Sequence, residues 1–222
     1  MTQEELKVMV ANKALEYIPH HGVIGVGSGT TVMKMIDAMH KSGIKVQKVL
    51  SSSNRTTALL HQIGIEVAEP DGYSSIQVYI DGADEVSPDL ELIKGGGACL
   101  TREKILASMA QKFVCIVDQS KLVRKLGKFP LPVEIIPIAR QKVTSVIEGE
   151  FGGKAVLREG CITDNQCQIL DVHDLDISNP LDMESRINQI PGVVTVGLFA
   201  HRRADLVLYS TDQGVKILDS KN

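Results

Sequence analysis

No stretch of this sequence is apolar for long enough to span a bilayer, so a helical membrane anchor is not expected. There is no internal repeat and no low-complexity tract, which argues against a solenoid or a disordered linker. Basic charge is not in excess: 24 Lys and Arg stand against 27 Asp and Glu, a formal net charge of -3, and the electrostatic footprint of a DNA- or RNA-binding protein is missing. A small anion could still be held by a local nest or a single lysine. The four cysteines, Cys99, Cys115, Cys161 and Cys167, form no C-x-x-C pair. They read as reduced thiols of a cytoplasmic protein rather than as a disulfide or zinc framework. The six histidines lack metal-ligand spacing, and no metal is expected.

What is present is ordinary globular composition, 43% hydrophobic and 23% charged over 222 residues, enough for one large domain or two small ones. "MTQEELKVMVANKALEYI" reads as an amphipathic helix carrying acids, not as a secretion signal. The first half then alternates apolar strands (22–27, 76–81, 90–94, 112–118) with helical patterns such as the one from Thr30 to His40. Such alternation predicts an α/β fold, an open and mostly parallel Rossmann-like sheet with helices on both faces. Pro130, Pro132 and Pro137 mark a change of texture. Beyond them the order strand, helix, strand, strand, helix, strand over 132–199 predicts a smaller ferredoxin-like α+β domain. "ADLVLYSTDQGVKIL" reads as a closing hairpin that returns to the first domain. The expected domains are 1–127 with 201–222, and 128–200.

Ligands of open parallel sheets gather at the carboxyl ends of the strands, and four loops after predicted strands are unusual. "GSGTT" joins Gly27 and Gly29 to the hydroxyls of Ser28, Thr30 and Thr31 at a helix start, which suits a phosphate or, more simply, a tight turn. The spacing of Gly25, Gly27 and Gly29 is not the dinucleotide fingerprint. No acid ends the second strand either, so NAD is disfavoured, while Arg55 leaves NADP open. "DGADE" places Asp81 at a strand end with Gly82, Ala83 and Asp84 behind it. Two carboxylates three apart can bind Mg²⁺, hold sugar hydroxyls or move protons, or can cap a turn. "KGGGACLTREK" sets Lys94 before Gly95, Gly96 and Gly97, with Thr101 as an expected N-cap. Glu103, in the following first helical turn, either complements the helix dipole or stands beside the apolar face as a partly desolvated base. The fourth loop, "DQSK", brings Lys121; Lys7 on the first helix is a weaker candidate. Hydroxyls, glycines, carboxylates and a lysine without a Ser-His-Asp set or a cofactor motif suit cofactor-free proton transfer on a small sugar phosphate.

"GVGSGTT", "YIDGADEV", "KGGGACLTREKI", "LGKFPLPVEIIP", "GCITDNQCQILDV" and "IPGVVTVGLFA" occur in that order and together resemble the A-type ribose-5-phosphate isomerases over essentially the whole chain. The resemblance implies interconversion of ribose 5-phosphate and ribulose 5-phosphate through an enediol, in the non-oxidative pentose phosphate pathway, without metal or other cofactor. It implies that Glu103 is the general base, that Asp81 and Asp84 bind the sugar with Asp81 assisting ring opening, and that Lys94 stabilises the enediolate. Ser28–Thr31 and Lys121 then lie in the substrate site, and Lys7 is assigned to the phosphate. Two motifs depart from the family pattern, "GSGTT" for the usual G-T-G-S-T, with its hydroxyls kept, and "AHRRADL" near residue 201. The second domain has no obvious ligand loop and is expected to serve assembly of a homodimer. The partner otherwise implied is the sugar phosphate alone, with neither nucleic acid nor membrane. A sugar-phosphate sensor and an NADP-dependent reductase built on "GSGTT" and Arg55 are the competing readings.

Overall fold

The computed structural model describes residues 1–219; the final three residues of the 201–222 segment lie outside the described residues. The elements in order begin with α1 (Gln3–Ala14), β1 (Val23–Val26), α2 (Thr30–Ser42), β2 (Lys48–Ser51), α3 (Asn54–Gln62) and β3 (Ile76–Asp81). Two short strands, β4 (Glu85–Val86) and β5 (Leu92–Ile93), precede α4 (Leu100–Met109) and the long β6 (Ala110–Asp118). Next come β7 (Leu131–Ile135), α5 (Arg140–Glu150), β8 (Lys154–Leu157), β9 (Gln168–His173), α6 (Pro180–Asn188) and β10 (Val193–Val196). The chain closes with β11 (Leu198–Phe199), β12 (Leu206–Thr211) and β13 (Gly214–Asp219). By packing it forms two compact units: one of 1–83, 102–122 and 204 onward, the other of 84–101 and 123–203.

The first unit is built on a six-stranded sheet in the order β13-β12-β6-β3-β1-β2. All neighbours are parallel except the β12–β13 hairpin. Alternation along each strand turns Ile24, Val26, Val78, Ile80, Val114 and Ile116 to one face, where they pack with Val10 and Ala14 of α1 and Met35 and Ile36 of α2. The start of α1 is fixed by a capping box. The Thr2 hydroxyl accepts from the Glu5 N–H at 3.2 Å, and the Glu5 carboxylate accepts from the Thr2 N–H at 2.7 Å. Because β1 leads to β2 on one side and β3 lies on its other side, the sheet has a topological switch point between β1 and β3. The loops after those two strands carry Ser28 and Asp81.

The second unit holds a four-stranded antiparallel sheet in the order β10-β7-β9-β8. Numbered within the unit this is 4-1-3-2 with a helix after the first and third strands, the ferredoxin-like arrangement. Val143 and Ile147 of α5 and Met183 and Ile187 of α6 close one face against Leu131, Val133, Leu170 and Val172. Pro132 and Glu134 alternate to the opposite face, where Gly95 and Thr101 of the strip 84–101 meet them, and here the chain departs from the expected boundary at 127. Leu92 and Ile93 read as a strand of the parallel sheet, but they pair antiparallel with Leu198–Phe199 and with Glu85–Val86 in a separate three-stranded sheet. Ile93 enters the second unit's core, and the Lys94 N–H donates to the Gly197 carbonyl at 2.9 Å. The expected strand 193–199 therefore serves two sheets, breaking at Gly197, where a Cβ would come within 2.2 Å of the Lys94 carbonyl. Among the described residues, no helix is long and apolar enough to cross a membrane.

Candidate active site

Each unit carries its own group of the residues singled out in the sequence. In the first, Gly27 follows β1, and its N–H donates to the Ile80 carbonyl of β3 at 2.9 Å. Asp81, the last residue of β3, fits there only because position 27 has no side chain: a Cβ would lie 1.9 Å from the Asp81 carboxyl carbon. Asp81 is fully buried, which demands that its charge be met by donors. Its Oδ1 accepts the N–H groups of Ser28 at 3.0 Å and Gly82 at 2.7 Å, and its Oδ2 accepts the Tyr79 hydroxyl at 2.5 Å. The Ser28 hydroxyl in turn donates to Oε1 of Glu103 at 2.6 Å. Ser28 thus joins two buried carboxylates, with its backbone on one and its side chain on the other. Glu103 stands in the first turn of α4 and is 4% exposed, on the buried side of the helix with Leu106 and Ala107. Gly29, with φ 93°, is the N-cap of α2, and Thr30 and Thr31 open that helix beside the same loop.

Tyr79 was not singled out in the sequence. The alternation of "IQVYID" nevertheless places it on the face of Asp81, two residues away. Burial first, then the charges of Asp81 and Glu103, push its phenol well above its ordinary pKa, so that it stays protonated and donates. Lys121 lies in the turn Gln119–Lys121 after β6, next to Asp118. Burial pushes the Asp118 carboxyl up, but the Ser120 hydroxyl and N–H, Gln3 and the Lys121 charge hold it below its ordinary value. Lys7 is hydrogen-bonded to Glu4 at 2.8 Å, and Glu4 is shared with Lys34 at 3.2 Å.

In the second unit Asp84 accepts the Gly96 N–H at 2.7 Å. The three glycines are not interchangeable. Gly95 has φ 111° and would press a Cβ to 2.9 Å from Pro132, while a Cβ on Gly96 would meet Asp84 at 2.6 Å. The run is thus explained in part by the chain's own Pro132 and Asp84, not only by a ligand. The Gly97 carbonyl accepts from the Cys99 thiol at 3.2 Å. Lys94 is 3% exposed, with its ammonium 5.6 Å from the centre of the Phe199 ring. Thr101 is not the N-cap that its position suggested: α4 begins at Leu100, and the Thr101 hydroxyl donates to buried Glu134, which also accepts from Thr163 at 2.6 Å. Arg158, a residue without any motif around it, donates to the carbonyls of Gly95 and Gly96 at 3.0 Å each.

A buried carboxylate pair beside a glycine and hydroxyl loop is a place for proton transfer on a polar, anionic ligand. Comparison with known proteins gives the family. Residues 48–214 match the family "Ribose 5-phosphate isomerase A (phosphoriboisomerase A)". The chain belongs to the ribose 5-phosphate isomerase A family. It is similar to the Neisseria gonorrhoeae ribose 5 phosphate isomerase A, at 45% identity and TM-score 0.96, covering 98% of this chain and 97% of that one. The Methanocaldococcus jannaschii enzyme is 39% identical with TM-score 0.92, covering 99% of this chain and 100% of its own. A D-ribose-5-phosphate isomerase in complex with phospho-erythronic acid is also 39% identical, with TM-score 0.94 over 99% and 100% of the two chains. As a ribose-5-phosphate isomerase the protein is an enzyme that interconverts D-ribose 5-phosphate and D-ribulose 5-phosphate. The reductase and sensor readings have no corresponding support.

Proposed function

We propose that Glu103 is the general base of this isomerisation. It removes the proton from C2 of the open-chain aldose and returns it at C1, through an enediolate whose charge forms on oxygen, while the hydroxyl proton of O2 passes to O1. The observation that carries the proposal is the Ser28 hydroxyl on Glu103 Oε1 at 2.6 Å, with Asp81 on the same serine's N–H. Such a bond fixes the rotamer of a carboxylate that must serve two adjacent carbons in turn. Asp81 assists opening of the sugar ring and Asp84 binds its hydroxyls. Lys94 supplies the fixed positive charge that stabilises the enediolate as it forms. Ser28, Gly29, Thr30 and Thr31 at the start of α2, with Gly82 and Ala83, Gly95–Gly97, Lys121 and Lys7, complete the proposed substrate contacts. The relative solved with phospho-erythronic acid supports a small phosphorylated polyol acid as a mimic of the enediolate.

The decisive experiment follows ribose 5-phosphate in D₂O by proton NMR with a chelator present. Ribulose 5-phosphate is expected to form with deuterium entering from solvent, and Glu103→Gln is expected to abolish turnover while substrate still binds. Full activity of that variant would remove Glu103 from its role. We further propose that the protein works in the non-oxidative pentose phosphate pathway in the cytoplasm, as a homodimer assembled through its second unit. Sedimentation equilibrium is expected to give twice the chain mass, and an active monomer would overturn that part.

A further inference from the structure

Arg158 follows β8, and its hydrogen bonds join β9 to the glycine strip of the second unit. Nε and Nη2 grip Asp171 of β9 at 2.8 and 2.5 Å, a two-point contact that fixes the plane of the guanidinium. That leaves Nη1 aimed at the glycine strip, where it meets both the Gly95 and the Gly96 carbonyl. The Gly95 carbonyl belongs to the same peptide group as the Gly96 N–H, and that N–H donates to Asp84 Oδ2 at 2.7 Å. One peptide therefore stands between a cation on its oxygen and a carboxylate on its hydrogen. A peptide polarised from both ends is a stronger donor and acceptor than an isolated one, and it is held in a single orientation. The Gly95 oxygen also accepts the Ala98 N–H at 2.9 Å, so both of its lone-pair directions are used. Only a backbone without Cβ atoms permits this: Gly95 lies against Pro132 and Gly96 against Asp84.

We infer that Arg158 is a positioning residue for the substrate, acting through the Gly95–Gly96 peptide to hold Asp84 and the glycine strip in their binding geometry. The inference rests on the proposed role of Asp84 and adds to it a residue 74 positions away that acts through the glycine strip. Because the strip binds rather than reacts, loss of Arg158 weakens substrate binding and leaves the chemical step largely intact. Hydrogen bonds to charged groups of this kind correspond to roughly a ten- to hundredfold change in an equilibrium constant.

The test compares steady-state kinetics of the full-length enzyme with Arg158→Ala, Arg158→Lys and Asp171→Asn, with Asp84→Asn as reference. Arg158→Ala is expected to raise KM about ten- to hundredfold while kcat changes less than about threefold. Arg158→Lys, which keeps the charge without the fork, and Asp171→Asn, which keeps the fork but loosens it, are expected to fall between. Guanidinium ion at millimolar concentration should lower the KM of Arg158→Ala, whereas urea, planar but uncharged, should not. Rescue of that kind cannot come from a general loss of stability. An unchanged KM in Arg158→Ala, with Asp84→Asn impaired, overturns the inference and leaves the role of Asp84 standing. An unimpaired Asp84→Asn overturns both. A fall in kcat alone, without guanidinium rescue, also overturns the inference.

Discussion

At the scale of single residues, the first unit shows how a buried charge is made tolerable and useful together. Asp81 lies at a strand end with no exposure, and Tyr79, Ser28 and Gly82 donate to it. Tyr79 is the one whose contribution can be removed cleanly, because a phenylalanine would keep the packing of its ring against Phe113, 5.1 Å away. Tyr79→Phe is expected to lower kcat/KM by about tenfold, since a charge-assisted hydrogen bond is lost from a group proposed to act on the sugar. Stability carries its own signature. The phenol is raised above its ordinary 10.0 by burial, with Asp81 and Glu103 adding to it. A group whose pKa is higher in the folded state holds its proton there more tightly, so stability is full below the unfolded value and falls as pH rises above it. Denaturant unfolding from about pH 8 to about pH 11 should therefore show an alkaline loss of stability that Tyr79→Phe reduces. Equal alkaline slopes in the two proteins would mean that Tyr79 does not titrate in this way. Ser28, Asp81 and Glu103 were legible in the sequence because their loops are rich in glycine, hydroxyl and acid. Tyr79 was hidden inside an apolar strand, and Arg158 at the end of the expected strand 154–158, with no motif around it.

Elements were legible where one periodicity served one packing surface. The strands of the parallel sheet are short apolar runs with turn residues at their ends, and the expected strand 76–81 is β3 as observed. In the second unit the expected helix at 180–190 is observed as Pro180–Asn188, capped by the Asn179 side chain on the Asp182 N–H at 3.2 Å. The reading failed where an element is too short to have a period. Two-residue strands such as Leu92–Ile93 and Leu198–Phe199 are defined by a partner about a hundred positions away, not by local pattern. Thr101 failed for a related reason. Its type and position before an acidic turn fit an N-cap, but Glu134, buried among strands, offers its hydroxyl a charged acceptor. The glycine run was read as space for a ligand, while Gly95 and Gly96 also make room for Pro132 and Asp84. One sequence feature can answer two demands, and composition does not separate them.

At the scale of the whole molecule, the proline-rich stretch looked like a domain boundary because texture changes there, yet packing assigns the strip 84–101 to the unit on the far side of it. Composition allowed the first domain to be interrupted, 1–127 with 201–222, but marked the second as one continuous stretch, and here neither unit is continuous. The consequence is testable, because the strip contributes structure as well as proposed binding residues. Ile93 is fully buried in the second core, Thr101 donates to Glu134, and Gly95 lies against Pro132. Removing the strip takes a buried isoleucine out of that core, a change on the order of 2–5 kcal/mol by analogy with truncation to alanine. A small domain has about 5 kcal/mol or less to lose. A fragment of residues 123–203 is therefore expected to give collapsed amide dispersion in proton–nitrogen NMR and no cooperative thermal transition. Adding a peptide of residues 84–101 should restore both in a concentration-dependent way, as a ligand stabilises the state that binds it. If the fragment alone melted cooperatively and its spectrum ignored the peptide, the ferredoxin-like sheet would be self-sufficient. The strip would then be a passenger held in place by Arg158 and by the short strands around it.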